Sequence, residues 1–306
     1  MSLLVKNVNK SFGTKKVVDN LSFELNKPGV FGLLGTNGAG KTTSIRMILG
    51  IIKKDSGEIS FNGKSVTRKN VNFGYLPEER GLYPKSKIYD QLMYFANLKG
   101  MSKVDGDKAI RYWLDKLKVS EYINYTAEKL SKGNQQKVQL ASTLVCDPDI
   151  VILDEPFSGL DPVNSQILQE VVQELITDGK IVIFSSHQMS YVEEFCEDIV
   201  IINHGEVVLE GNLDEIKREF GENQLVISGV GMDAEAFGTM LVKDAGDLVT
   251  ITGYSKEEVI VKLCEGVTRK QLFKALANIE GVEIEHFETY KPSLNDIFVA
   301  KVGEEA

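Results

Sequence analysis

Long hydrophobic runs are missing from this sequence: none approaches the roughly 18 residues that a membrane-spanning helix needs. The chain is not expected to cross a bilayer by itself. Met1 to Lys6 also lack a signal-peptide core, which makes a cytoplasmic address the expectation. Cysteine is scarce as well. Cys146, Cys196 and Cys264 stand far apart with no metal-ligand spacing, so neither a disulfide framework nor a metal cluster is implied, and all three read as reduced thiols. The single tryptophan, Trp113, falls in a helical stretch and is expected in the core. Basic residues are outnumbered 35 to 44, and the net charge of −9 argues against a protein whose main task is to coat nucleic acid or an anionic membrane. What remains is an ordinary globular composition, 42% hydrophobic and 26% charged. Its 306 residues suffice for one large domain or two.

Against that background one stretch is specific. Gly35-Thr36-Asn37-Gly38-Ala39-Gly40-Lys41-Thr42 fills the phosphate-loop pattern G-x-x-x-x-G-K-[ST]. An apolar run from Val30 to Leu34, read as a buried strand, precedes it; Thr43 to Gly50, with Ile45, Ile48 and Leu49 at helical spacing, follows. Three glycines let the backbone turn tightly and aim its N–H groups inward, and the helix N-terminus adds positive potential for phosphate oxygens. Lys41 would reach the β- and γ-phosphates, and Thr42 offers a hydroxyl of the hard-oxygen type that Mg²⁺ prefers.

Other segments supply the rest of the chemistry. Leu3–Lys6 and Leu21–Leu25 alternate as strands, with Ser11 to Thr14 as the turn between them; Phe12 in that turn is either a half-buried aromatic or a platform for a purine ring. Phe73 to Leu76 reads as a strand that runs into a charged loop containing Glu78. Helical periodicity covers Ile88–Leu98 and Lys108–Leu117, with Gly100 and Gly106 punctuating the gap, which together form a helical insert over about residues 86–145. Ser131 precedes another helical run as a possible N-cap. Ile150 to Leu153 is a fully apolar strand that ends in Asp154 and Glu155. Carboxylates at a strand's carboxyl end suit two roles, metal binding at Asp154 and activation of water at Glu155. A second buried strand, Ile181–Phe184, delivers His187 to the same edge.

The order of these parts resembles the ATP-binding subunit of an ABC transporter over nearly all of residues 1–218. The landmarks are Gly35 to Thr42, the Glu78 loop, Leu130 to Asn134, Asp154-Glu155, Ser158 to Asp161, and His187. The resemblance implies a P-loop ABC-type α/β domain with a mixed sheet core, an antiparallel β subdomain and a helical insert. It also implies a head-to-tail dimer that clamps ATP and Mg²⁺ at its interface, a homodimer by expectation. Gly35 to Thr43 and Phe12 would bind nucleotide, and Thr42, Asp154 and Glu78 would face the metal. Glu155, His187 and Lys41 would be catalytic. Ser131 and Gly133 would cap the γ-phosphate held by the second subunit, and Asp161 would stand at the dimer interface. Two departures bear on this. Glu78 replaces the family's Gln, where it adds charge near the metal or else points at solvent, and the signature reads Leu-Ser-Lys-Gly-Asn in place of Leu-Ser-Gly-Gly-Gln. Ser131 and Gly133 are kept, so an active site is expected.

Beyond Glu222 the order β-α-β-β-α-β is expected to form a small α+β C-terminal domain, residues 223–306, of ferredoxin-like or related topology, with Ser293 capping a last helix. This tail contains no metal or nucleotide motif, and regulating dimerisation and fastening subunits together are both open to it. The Tyr290 to Phe298 ending and the Leu76 to Tyr83 loop resemble exporter subunits of the sodium-efflux and drug-efflux type, served by a separate polytopic permease. A soluble ABC ATPase that remodels ribosomes or DNA is the competing reading; such proteins carry two ATPase units or a long coiled-coil insert, and neither is present. A small-molecule P-loop kinase would have no use for the signature segment.

Overall fold

The amino-terminal segment forms a long antiparallel hairpin of β1 (Leu3–Phe12) and β2 (Lys15–Leu25) in the computed structural model, which describes residues 2–67, 70–79, 81–158, 160–255, 257–279 and 282–303. These strands are longer than their alternation predicts. Register shifts fall between Val5 and Val8 and between Val8 and Lys10, and Asn7 (φ 49°) and Asn20 (φ 52°) adopt left-handed backbone. Each irregularity breaks the period of two while the ladder continues. Phe12 is accordingly the last residue of a strand and not part of the turn.

The chain divides into two compact units, residues 1–213 and 214–303. In the first, β1 and β2 join β4 (Ser56–Phe61) and β5 (Lys64–Ser65) in the order β2-β1-β4-β5. A second sheet is built from β3 (Gly29–Gly35), β6 (Phe73–Leu76), β7 (Ile150–Asp154), β8 (Ile181–Ser185), β9 (Asp198–Asn203) and β10 (Glu206–Asn212). Its order is β10-β9-β3-β8-β7-β6; only the β9–β10 pairing is antiparallel. Every residue of β7 and β8 is buried, which their unbroken apolar sequences require of central parallel strands. One apolar cluster joins the two sheets, with Val5, Leu21 and Phe23 on one side and Phe31, Leu33, Ile152 and Ile183 on the other; the Phe23 and Phe31 rings stack at 5.1 Å. Each such side chain contributes roughly 1.5–3 kcal/mol by leaving water.

The helices of this unit are α1 (Lys41–Ile48), α2 (Ile88–Leu98), α3 (Lys103–Lys116), α4 (Lys132–Leu144), α5 (Pro162–Thr177) and α6 (Met189–Phe195). The start of α3 corrects the sequence reading. Ser102 caps the helix by accepting the Asp105 N–H at 3.1 Å, so the helix begins five residues before Lys108 and Gly106 lies inside it. A methyl group on Gly106 would sit 3.1 Å from Met93 Sδ, so this glycine serves the close approach of α2 and α3.

The second unit contains α7 (Leu213–Phe220, apart from its first residue), β11 (Gln224–Gly229), α8 (Ala234–Ala245), β12 (Val249–Tyr254), β13 (Val259–Leu263), α9 (Arg269–Leu276), β14 (Ile284–Thr289) and α10 (Leu294–Gly303). Its sheet order β12-β13-β11-β14, antiparallel throughout, is the split β-α-β arrangement that the element order suggests. Phe237, Leu241, Leu272 and Leu276 from the helices pack on Leu225, Ile227 and Val261 of the sheet. Asp233 caps α8, and Thr268 with Gln271 forms a capping box on α9.

His286 on β14 has its Nδ1 2.7 Å from Glu258 and its Nε2 3.0 Å from Glu288. The hydrogen bond to Glu258, followed by that to Glu288, raises the imidazole above its ordinary 6.5. The folded state therefore holds this proton more tightly than the unfolded chain. The resulting stability is fully present below about pH 6.5 and is lost as pH rises through the folded-state value. With the side chain 43% exposed, screening keeps the effect under about 1 kcal/mol. An NMR titration should show the His286 ring titrating above 6.5 and returning towards it in Glu258→Gln.

Candidate functional site

Four neighbouring parallel strands, β3, β8, β7 and β6, end on one edge of the second sheet. Their carboxyl ends lead respectively into the loop at Thr36, the Ser186-His187 segment, Glu155, and the Glu78 loop. This is where open α/β sheets place their ligands.

The phosphate loop is fixed by its glycines. Gly35 (φ 154°) lies so close to β9 that an added Cβ would meet the Ile202 carbonyl oxygen at 2.3 Å, and on Gly40 (φ 108°) it would meet the Val17 carbonyl at 2.7 Å. A Cβ on Gly38 (φ 82°), by contrast, would meet nothing within 4 Å, which leaves an open cradle along the loop. Lys41, the first residue of α1, is only 8% exposed and its ammonium donates to the carbonyls of Gly35 at 2.7 Å and Thr36 at 3.2 Å. Burial lowers its pKa, against the opposing pull of Glu155, Asp154 and Glu78. Thr36, Asn37 and Gly38 are exposed, Ala39 and Gly40 are buried, and Thr42 and Thr43 are half-buried on the first turn of α1.

Asp154 is the last residue of β7 and is buried, which raises its carboxyl pKa; the negative charges of Glu155 and Glu78 press the same way. Tyr75 donates its hydroxyl to Asp154 Oδ2 at 3.4 Å, and burial together with the Asp154 charge pushes the phenol up to about 12. Glu155 turns away from the strand in left-handed backbone (φ 51°), a conformation that a non-glycine residue keeps only where its surroundings impose it. Its carboxylate accepts the His187 backbone N–H at 2.9 Å and the Ser186 hydroxyl at 3.2 Å, and His187 Nδ1 lies 2.7 Å from Oε1. Strand order alone brings Glu155 and His187 together across 32 residues.

Ser131, Gly133 and Asp161 form a second patch at the amino ends of α4 and α5. Ser131 caps α4 by accepting the Asn134 N–H at 3.3 Å, and Asp161 caps α5 by accepting the Asn164 N–H at 2.9 Å and its amide at 2.6 Å. Gly133 packs against Asn164, whose Nδ2 would be 3.3 Å from an added Cβ. Phe12 is half exposed at the end of β1, with the Lys10 ammonium 5.3 Å from its ring centroid. Arg80 and Gly159, which fall in the Glu78 and Asp161 loops, lie outside the described residues.

The sequence reading misses a polar stripe on α4. Gln136 donates to the Pro156 carbonyl, Gln139 to the carbonyls of Pro77 at 3.4 Å and Glu79 at 3.1 Å, and Thr143 to that of Tyr75 at 3.2 Å. Spacings of three and four put these on one helix face, so α4 is fastened to the ends of both β7 and β6. The spacing of Gln136, Gln139 and Thr143 by three and four is the signal that the sequence carries for this face.

The donors suit a nucleotide with a hard cation. Thr42 and Asp154 would supply one hydroxyl and one carboxylate oxygen, and the described residues contain no group of three or more His, Cys, Asp or Glu able to hold a metal ion alone. Such a pair matches Mg²⁺, which takes few protein ligands and relies on phosphate oxygens and water for the rest.

Residues 18–158 match the ABC transporter family, and residues 211–302 match the C-terminal domain of DrrA1-3-like ATP-binding proteins. An uncharacterized ABC transporter ATP-binding protein of Bacillus subtilis, YhaQ, is 43% identical over 305 residues, 98% of each chain. Nod factor export ATP-binding protein I of Paraburkholderia xenovorans is 31% identical over 97% of this chain and 96% of its own. The solved structure of an ATP-binding subunit of an ABC transporter superimposes with a TM-score of 0.67 at 30% identity, covering 72% of this chain and 94% of its own. With its phosphate loop, its row of strand ends and this similarity over its whole length, the chain belongs to the ATP-binding subunits of ABC transporters and carries a DrrA-like C-terminal domain.

Proposed function

We propose that this subunit hydrolyses ATP to power export through a separate polytopic permease, and that it works as a head-to-tail homodimer. The observation that carries the reading is the set of four strand ends that brings Lys41, Asp154, Glu155 and His187 to one edge. The loop's N–H groups and Lys41 bind the β- and γ-phosphates, and Phe12 stacks on the adenine. Mg²⁺, held by Thr42 and Asp154 near Glu78, would neutralise phosphate charge as the leaving group departs. Glu155 orients the attacking water and takes its proton, while Ser186 and His187 keep its carboxylate in place. Ser131 and Gly133 of the second copy complete the site on the γ-phosphate, with Asp161 beside them at the interface. ATP thereby joins two subunits, and its hydrolysis lets them part.

The permease is proposed to dock in the cleft between the Glu78 loop and the helical insert, a cavity of about 270 Å³ lined by Phe73, Tyr75, Phe95, Leu98 and Cys146. No helix among the described residues is long and apolar enough to cross a membrane; in this proposal the partner forms the membrane path and this subunit docks on it from the inner face. Export is supported by the similarity to the Nod factor export ATP-binding protein. Purifying Glu155→Gln protein with ATP from solubilised native membranes should recover a polytopic membrane protein. Recovery of ribosomal or DNA-bound components instead would overturn the reading.

A further inference from the structure

The two departures from the family pattern that bear opposite charges meet in one place. Lys132 stands where the signature has glycine and Glu78 where the loop has glutamine, and both line a single cavity of about 280 Å³. Its other charged lining groups are Asp154 and Glu155, so three carboxylates face one ammonium. The charge of Glu78 acts on both Asp154 and Lys41. The frame around the pair is held by hydrogen bonds. Gln139, buried on α4, donates to the carbonyls of Pro77 and Glu79 on either side of Glu78, and Gln136 donates to the Pro156 carbonyl next to Glu155. Because Lys132 is the first residue of that same helix, its Cα is tied to both loops.

We infer that Lys132 is a positioning residue paired electrostatically with Glu78 across this cavity. A Gly and Gln pair contributes no net charge there, and a Lys and Glu pair contributes none either. With Lys132 present, its ammonium offsets part of the repulsion that the extra carboxylate adds for nucleotide phosphates at Asp154 and Glu155. Without it, Glu78 weakens Mg²⁺-nucleotide binding, an effect that salt screens because both side chains are exposed. The pair also links the start of α4, which carries Ser131 and Gly133, to the loop beside the permease cleft. This inference rests on the proposed binding of nucleotide at Lys41 and Asp154.

The test is a double-mutant cycle on the full chain, with binding of a fluorescent ATP analogue in Mg²⁺ as the readout. Lys132→Ala is expected to weaken binding about threefold to fivefold at low salt, as an exposed charge pair allows. In a Glu78→Gln background the same change should cost less than about 1.5-fold, Lys132→Arg should retain affinity, and high salt should erase the difference. Equal losses in both backgrounds, or a loss that salt does not touch, would overturn the pairing. Wild-type protein that fails to bind the analogue would instead overturn the site assignment on which it rests. Matching melting temperatures and circular dichroism across the variants keep folding out of the comparison.

Discussion

Glu155→Gln should lower ATP turnover by about 10²- to 10⁴-fold while leaving nucleotide binding intact. Glutamine has the same shape as glutamate, so its side-chain oxygen still accepts the His187 N–H that Glu155 accepts at 2.9 Å, and the left-handed backbone at φ 51° is undisturbed. What disappears is the proposed base. A water in line with the γ-phosphate then has no carboxylate to take its proton, and the ATP-bound state persists. Measured by phosphate release and by gel filtration with ATP, the variant should be inactive and trapped as a dimer. Turnover above about a tenth of wild type, with no nucleotide-dependent dimer, would remove Glu155 from the role proposed for it.

Gly35→Ala should be the most destabilising single methyl in the phosphate loop. Its Cβ would approach the Ile202 carbonyl oxygen at 2.3 Å and the Ala39 Cβ at 3.0 Å, and neither neighbour is the end of a flexible side chain. Strand β3 pairs with β9 at that very register, Gly35 opposite Ile202, so relief requires parting two central strands. The backbone angle of 154° adds strain of its own. A cost of about 3–5 kcal/mol is expected, or a fall of roughly 10 °C in the melting temperature of the 1–213 unit, with loss of ATP binding. Gly38→Ala is the control. A methyl there meets nothing within 4 Å, so only the positive φ is strained and the cost should be about 1 kcal/mol. Calorimetry that shows the two variants equally stable would contradict the packing at Gly35.

Parts of the molecule were legible because their physics is local. The phosphate loop needs its glycines, lysine and threonine at fixed offsets along eight residues, and Ile150 to Asp154 announces a central strand by composition alone. Helix α2 has the ends that its sequence period predicts. Other parts were hidden by local breaks in pattern. Bulges shorten the apparent length of β1 and β2. The β9–β10 hairpin lies outside the sequence reading because its turn, His204-Gly205 with φ of 47° and 90°, lacks the usual Asn-Gly signal for two left-handed residues.

The amino-acid sequence by itself determined the chemistry on offer: a cradle for phosphate at Gly35 to Lys41, two carboxylates at the end of a buried strand, a histidine at the end of another, and a separate α+β tail. Each of these depends on neighbours within a few residues, where backbone geometry and burial leave little choice. Only the tertiary structure decided who meets whom. The order β3-β8-β7-β6 seats His187 against Glu155, α4 reaches the loops at Pro156 and Glu79 through Gln136 and Gln139, and Lys132 and Glu78 share one cavity. Those pairings span tens of residues and follow from strand order and helix packing, which no local pattern encodes.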